Sequence, residues 1–143
     1  ILDFVNENDL KENQLGLEIT ETAELEDRKK ASEAFESLKK SGVPLALDDF
    51  GAGYSSLSYL RDLPISLIKL DKNFATTIDL SDTKELVRFV VNISDNLGLD
   101  MIVEGIETED QKNIFLELGC KRGQGYFFHR PEFLEDFAGN LDE

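Results

Sequence analysis

The sequence predicts an α/β fold in which a parallel sheet carries its helices on the outside. Three observations predict it. Short apolar runs of strand type alternate with segments of helical periodicity along the whole chain. The strand–helix units are short and uniform, which favours a β/α barrel over an open sheet, although spacing alone does not decide between the two. Four of the five predicted strands end in acidic residues, and in such folds chemistry sits at the carboxyl ends of the strands.

Each element has its own signal. Residues 1–13 read as the end of a helix, with Leu2, Val5 and Leu10 on one face and no start signal before them. Residues 15–21 alternate apolar positions around a β-branched Ile19-Thr20 pair and read as the first strand. Ala31, Ala34, Phe35 and Leu38 recur at helical spacing within residues 26–41, and Gly42 stops that helix. Residues 43–47 form the second strand and run into Asp48-Asp49. A glycine-bearing loop follows, then a short helix over residues 55–61 that Pro64 closes.

Residues 65–71 form the third strand, and a loop is expected after it. Asp82 with Glu85 can cap a helix carrying Leu86, Phe89, Val90, Ile93 and Leu97, which Gly98 ends. Residues 100–107 form the fourth strand. Thr108 with Gln111 is a capping-box pattern for a helix carrying Ile114, Phe115 and Leu118. Residues 123–128 form the fifth strand, with Tyr126, Phe127 and Phe128 as core, and Pro131 opens a last helix with Phe133, Leu134 and Phe137.

Composition bounds the function. The 143 residues are 41% hydrophobic and 31% charged, a globular mixture. The net charge of −15, from 30 acids against 15 bases, argues against a surface that grips long nucleic acid. It leaves room for a phosphate substrate held through metal ions. No apolar run has the length of a membrane span, and the first residues lack a basic signal-peptide region. The single Cys120 excludes an internal disulfide and fits a reducing compartment, so a cytoplasmic location without direct membrane contact is expected. Cys120 itself reads as a small apolar residue just past a helix end.

The strand ends supply Glu18 and Glu21, Asp48 and Asp49, Lys69 and Asp71, Glu104 and Glu107, then Gln124. Acids from separate strands that point into one site repel strongly unless a cation offsets them. Two divalent ions shared among oxygen ligands are one stable solution, and such pairs suit phosphodiester hydrolysis. Lys69 then pairs with the carboxylates, orients the attacking water or stabilises phosphate charge. Other chemistries lack partners. The only histidine, His129, reads as a surface-loop residue, and Gly51-Ala52-Gly53 lacks the Gly-Lys-Ser/Thr ending of a phosphate loop.

Five motifs in order resemble one family. They are Glu18-Ile19-Thr20-Glu21, Leu47-Asp48-Asp49-Phe50-Gly51-Ala52-Gly53-Tyr54-Ser55-Ser56-Leu57, Ile68-Lys69-Leu70-Asp71, Val103-Glu104-Gly105-Ile106-Glu107-Thr108 and Gln124-Gly125-Tyr126-Phe127-Phe128. Together they resemble the EAL domain, the bacterial cyclic-di-GMP phosphodiesterase family, from about Leu15 to Pro131. The resemblance implies a TIM-like barrel, two Mg²⁺ or Mn²⁺ ions and hydrolysis of cyclic-di-GMP to linear pGpG. By motif, Glu18, Asp48 and Asp49 would be metal ligands, with Asp48 bridging. Lys69 and Glu104 would be catalytic, Lys69 at the water or phosphate and Glu104 as a base or a water-mediated metal partner. Glu21 would hold the loop after Asp49, Glu107 and Gln124 would support the site, and Asp71 is a further candidate.

The family's Glu-x-Leu strand and the Asn-bearing strand after it are not in this sequence, and both supply metal ligands there. The expected reading of residues 1–143 is therefore the C-terminal part of one EAL-type domain, a partial TIM-like barrel of about five parallel strands whose N-terminal strands are missing. Open edges predict that two copies associate or exchange elements. Activity of this piece alone is expected to be weak, with the ions possible absentees. A catalytically inactive receptor for cyclic-di-GMP or a protein partner is the competing reading, and the parent chain is expected to carry sensor or GGDEF domains.

Overall fold

A computed structural model describes residues 1–20, 23, 27–53, 57–133 and 137. The described elements run α1 (Leu2–Glu7), β1 (Leu17–Thr20), α2 (Arg28–Lys40), β2 (Leu45–Phe50), α3 (Leu57–Asp62), β3 (Leu67–Leu70), α4 (Lys72–Thr76), α5 (Ser81–Leu97), β4 (Asp100–Val103) and α6 (Glu109–Glu117). All four strands are parallel, and their spatial order is β1-β2-β3-β4. That order settles what spacing left open. A doubly wound sheet reverses direction at a switch point. Here every crossover steps the same way, and right-handed crossovers then put all the helices on one face. This is the arrangement of a β/α barrel, of which the sheet forms four adjacent strands.

The core lies between sheet and helices. Leu47, Ile68, Leu70 and Val103 are fully buried on the helix-facing side, against Ile78, Val87 and Phe115. Each such side chain contributes roughly 1.5–3 kcal/mol through burial. The register pairs Glu18 with Ala46, Ala46 with Leu67 and Lys69 with Ile102. Side chains alternate faces along a strand, so Glu18, Thr20, Ala46, Leu67, Lys69 and Ile102 share the opposite face, the inside of a barrel. A second cluster of Val5, Leu38 and Val43, with Leu2 and Leu10 against it, seats α1.

Three expectations are corrected. The fifth strand is only an isolated parallel bridge between Val103 and Gly123. The chain then crosses the end of β4, where a Cβ on Gly125 would lie 2.1 Å from the Ile106 carbonyl oxygen. Phe127 N–H donates to the Ile106 carbonyl at 3.0 Å and Phe128 N–H to that of Gly125 at 3.0 Å, so the segment turns instead of pairing. Tyr126, Phe127 and Phe128 are accordingly 52%, 36% and 50% exposed and are not core. Second, the stretch after β3 is not a loop: Asp71 caps α4 by accepting from Asn73 N–H at 2.9 Å. Third, α5 starts one residue ahead of Asp82, and its N-cap Leu80 makes no side-chain bond.

Other signals hold. Thr108 Oγ1 accepts from Gln111 N–H at 3.2 Å and Gln111 Oε1 accepts from Thr108 N–H at 3.0 Å, the full capping box. Cys120 is buried just past α6. Among the described residues no helix is long and apolar enough to cross a membrane. Much of the expected last helix, Leu134 included, lies outside the described residues.

Two measurements check this account. Thr108→Ala removes the cap of α6 and is expected to lower stability by about 1 kcal/mol in a urea titration. Burial pushes the Cys120 thiol up from 9.0 to about 12. Its folded-state pKa is raised, so its contribution is complete below pH 9 and declines as pH rises from there towards 12, because only the unfolded thiol ionises in that window. Cys120→Ala is expected to flatten that part of the stability–pH curve, and the wild-type thiol is expected to resist a disulfide reagent at pH 8 until the chain unfolds.

Candidate active site

The site begins with a break in the sheet. Between Leu47 and Phe50 on β2, three steps match two steps on β3 from Ile68 to Leu70. One residue is extra, so Asp48 and Asp49 together stand opposite Lys69. This is a β-bulge, which re-aims side chains that a regular strand would send to opposite faces. Asp49 completes it with a backbone φ of 55°, in the left-handed region that short polar residues tolerate best after glycine. The bulge brings both carboxylates to the same end of the strand.

Lys69 is the centre of charge. Its ammonium Nζ lies 2.8 Å from Glu104 Oε1, 2.9 Å from Asp48 Oδ1 and 3.0 Å from Glu18 Oε2. The three acids come from β1, β2 and the end of β4, and the lysine from the strand between them. The Lys69 side chain is only 10% exposed. Burial by itself pulls its pKa down, but the neighbouring carboxylates of Glu104, Asp48 and Glu18 outweigh burial and hold it well above the ordinary lysine value. Lys69 is therefore a fixed positive charge across the working pH range.

The acids also form a second grouping. Asp48, Asp49 and Glu104 each offer one oxygen, and these atoms lie within 4.8 Å of one another. Asp48 Oδ1 is shielded from solvent and, among the described residues, has no hydrogen bond. Its 2.9 Å approach to Lys69 is an ion pair without hydrogen-bond direction, whereas the Glu18 contact is a directed hydrogen bond. A buried carboxylate oxygen lacking a directed donor, beside two further carboxylates, fits a hard divalent cation. Mg²⁺, Ca²⁺ and Mn²⁺ all favour this all-oxygen donor set.

The loops that carry these acids are pinned from behind. A Cβ on Gly51 would lie 2.5 Å from Phe74 Cε2, and one on Gly105 would lie 2.6 Å from Lys72 Cβ. Both glycines also have positive φ, 90° and 72°. They let the chain after Asp49 and the chain after Glu104 lie flat against α4.

The EAL domain family profile matches residues 1–131, almost the whole described chain. The chain belongs to the EAL domain family. It is 38% identical over 135 residues to the cyclic di-GMP phosphodiesterase PA2567 of Pseudomonas aeruginosa, covering 90% of this chain and 23% of that protein. The EAL domain of Mycobacterium smegmatis DcpA superposes with a TM-score of 0.92 at 32% identity, covering 99% of this chain and 64% of that one. The manganese and cyclic-di-GMP complex of Klebsiella pneumoniae BlrP1 superposes at 0.82 and 31% identity, covering 91% and 33%. This EAL chain thus spans about a fifth of curated relatives such as the Mycobacterium tuberculosis protein Rv1354c, where the share is 21%.

The remaining predicted residues of the EAL chain divide. Gln124 is tied to the Glu104 loop through its backbone: its N–H donates to Val103 at 2.8 Å and its carbonyl accepts from Ile106 N–H at 3.1 Å. Glu107 is exposed, and its N–H donates to Gln111 Oε1 at 2.8 Å. Asp71 is buried and uses one carboxylate oxygen as the α4 cap. Glu21, with Tyr54, Ser55 and Ser56 of the loop assigned to it, lies outside the described residues. Sequence reading missed the bulge and the clamp on α4, although Asp-Asp followed by Phe-Gly could have signalled both.

Backbone and chemistry at the bulge can be separated. Asp49→Gly and Asp49→Ala each remove one carboxylate from the group. Alanine pays a left-handed penalty of roughly 1 kcal/mol that glycine does not, so the Gly variant is expected to be the more stable of the two by about that amount in metal-free urea titrations.

Proposed function

We propose that this EAL domain takes part in divalent-metal-dependent hydrolysis of cyclic-di-GMP to linear pGpG. The observation that carries the reading is the Lys69 ammonium held by Glu18, Asp48 and Glu104, with the Asp48, Asp49 and Glu104 oxygens grouped within 4.8 Å. The names of PA2567 and the BlrP1 complex point the same way. Asp48, Asp49 and Glu18 would hold two ions, Mg²⁺ or Mn²⁺, with Glu104 beside Asp48 and Asp49 in the same oxygen group. When bound, such ions polarise the phosphodiester and make water nucleophilic near neutral pH.

The chain's own residues do the rest. Lys69 brings a permanent positive charge to the negative phosphodiester and its transition state. Glu18 fixes the lysine by a directed bond. Glu104, at the end of β4, would serve as the base that takes the proton of the attacking water or as a water-mediated partner of the ions. Gln124 and Glu107 support the Glu104 loop from either side, Glu21 is assigned to the loop after Asp49, and Asp71 is a positioning residue through α4. For the 143 residues alone, a second copy that packs on or exchanges elements across the open sheet face is the proposed partner. Sensor or GGDEF domains in the whole protein and a cytoplasmic location complete the reading.

The test is Mn²⁺-dependent turnover of cyclic-di-GMP by the protein that carries this domain. Linear pGpG is expected as product. Asp48→Asn is expected to lower kcat/KM by more than about 100-fold while leaving the fold intact by circular dichroism. Tight binding of cyclic-di-GMP with no pGpG formed under saturating Mn²⁺ would instead identify a receptor.

A further inference from the structure

We infer that Lys69 is a built-in counter-cation that competes with the divalent ion for Asp48 and Glu104, so that the lysine lowers the metal affinity of its own site. The inference rests on the metal-dependent reading above and goes beyond it. Its basis is a double use of the same carboxylates. Asp48 and Glu104 form ion pairs with Lys69 at 2.9 and 2.8 Å, and the same two residues, with Asp49, make up the group that could hold an ion.

Geometry makes the two cations rivals. A Mg²⁺ ion sits about 2.0–2.1 Å from each carboxylate oxygen. An ion that reaches the Asp48 or Glu104 oxygens now turned towards the lysine would sit within a few ångströms of Nζ. Like charges at that range in a shielded site repel strongly. The lysine cannot retreat far, because its side chain is nine-tenths buried and its backbone is locked in β3 between β2 and β4.

The contacts also say where Lys69 gives way. Its bond to Glu18 Oε2 at 3.0 Å is directed. Its contact with Asp48 Oδ1 is short but misdirected, and it leaves that oxygen without a hydrogen bond. Glu18 is outside the tight oxygen group. Among the described contacts only the one to Glu18 is a directed hydrogen bond, so Lys69 yields Asp48 and Glu104 before Glu18. Without metal the lysine stabilises three acids that would otherwise repel. With metal it becomes an excess charge beside the ion. A lysine serving only as a scaffold would act in the opposite sense, since its loss would disorder the ligands and weaken the ion's hold.

The experiment uses the protein that carries this domain, with Mn²⁺ alone as probe, at constant ionic strength. Free Mn²⁺ is read by electron paramagnetic resonance, and melting temperature is recorded with and without the ion. Lys69→Met is expected to bind Mn²⁺ about tenfold more tightly than wild type, to melt lower without metal, and to recover most of that difference at saturating Mn²⁺. Lys112→Met, which removes a lysine paired with Glu109, is the control and is expected to leave the affinity unchanged. Equal or weaker Mn²⁺ binding by Lys69→Met, with wild type still binding, overturns the competition and leaves the metal-dependent reading standing. No binding by either protein overturns both. If Lys69→Met does not fold, the wild-type Lys69 side-chain resonances decide: they are expected to shift as Mg²⁺ is added, with the midpoint of Mg²⁺-induced thermal stabilisation. Stabilisation by Mg²⁺ without any such shift overturns the inference.

Discussion

One buried ammonium among converging carboxylates is the constraint on which the rest of this domain depends. Parallel strands that step in one direction aim their carboxyl ends at a common region. Glu18, Asp48, Asp49 and Glu104 arrive there from three strands. Their mutual repulsion would oppose folding if nothing answered it. Lys69, on the strand between, answers it with contacts of 2.8–3.0 Å. A buried pair of this kind does little for net stability, but breaking it leaves uncompensated charge and is costly. The lysine therefore acts less as an added source of stability than as the condition under which so many acids can share one place.

The bulge in β2 is the second half of the arrangement. In a regular strand, Asp48 and Asp49 would face opposite sides, one towards the helices and one towards the barrel interior. An acid on the helix side would enter the layer of Leu47, Ile68 and Leu70, all fully buried. The extra residue avoids that by ending regular pairing where the apolar run stops. Sequence, backbone and charge agree here. Apolar residues carry the strand to Leu47, the left-handed φ falls on an aspartate, and Phe50 returns to the core at 5% exposure.

Much of this was legible in the residues. The order of strands and helices follows from apolar periodicity, the α6 start from Thr108 and Gln111, and the site from acids at successive strand ends. The parts that were not legible share a cause: they depend on neighbours distant in sequence. Residues 123–128 have strand-like composition, yet the tight passage of Gly125 over Ile106 turns them after a single bridge. Helix α4 is too short to show periodicity, and the bond that Asn73 N–H donates to the Asp71 carboxylate marks where it starts. The roles of Gly51 and Gly105 were hidden because the side chains they accommodate, Phe74 and Lys72, belong to that same unrecognised helix.

That short helix has a wider consequence. The chain beyond Asp49 rests on α4 through Phe74, the chain beyond Glu104 rests on it through Lys72, and Gln111 of α6 donates to its Ala75 carbonyl at 2.9 Å. Two acid-bearing loops from different strands thus share one abutment. The positions of the Asp49 and Glu104 loops are therefore both referred to one body of five residues, so a substitution that shifts α4 shifts the footing of both acids at once.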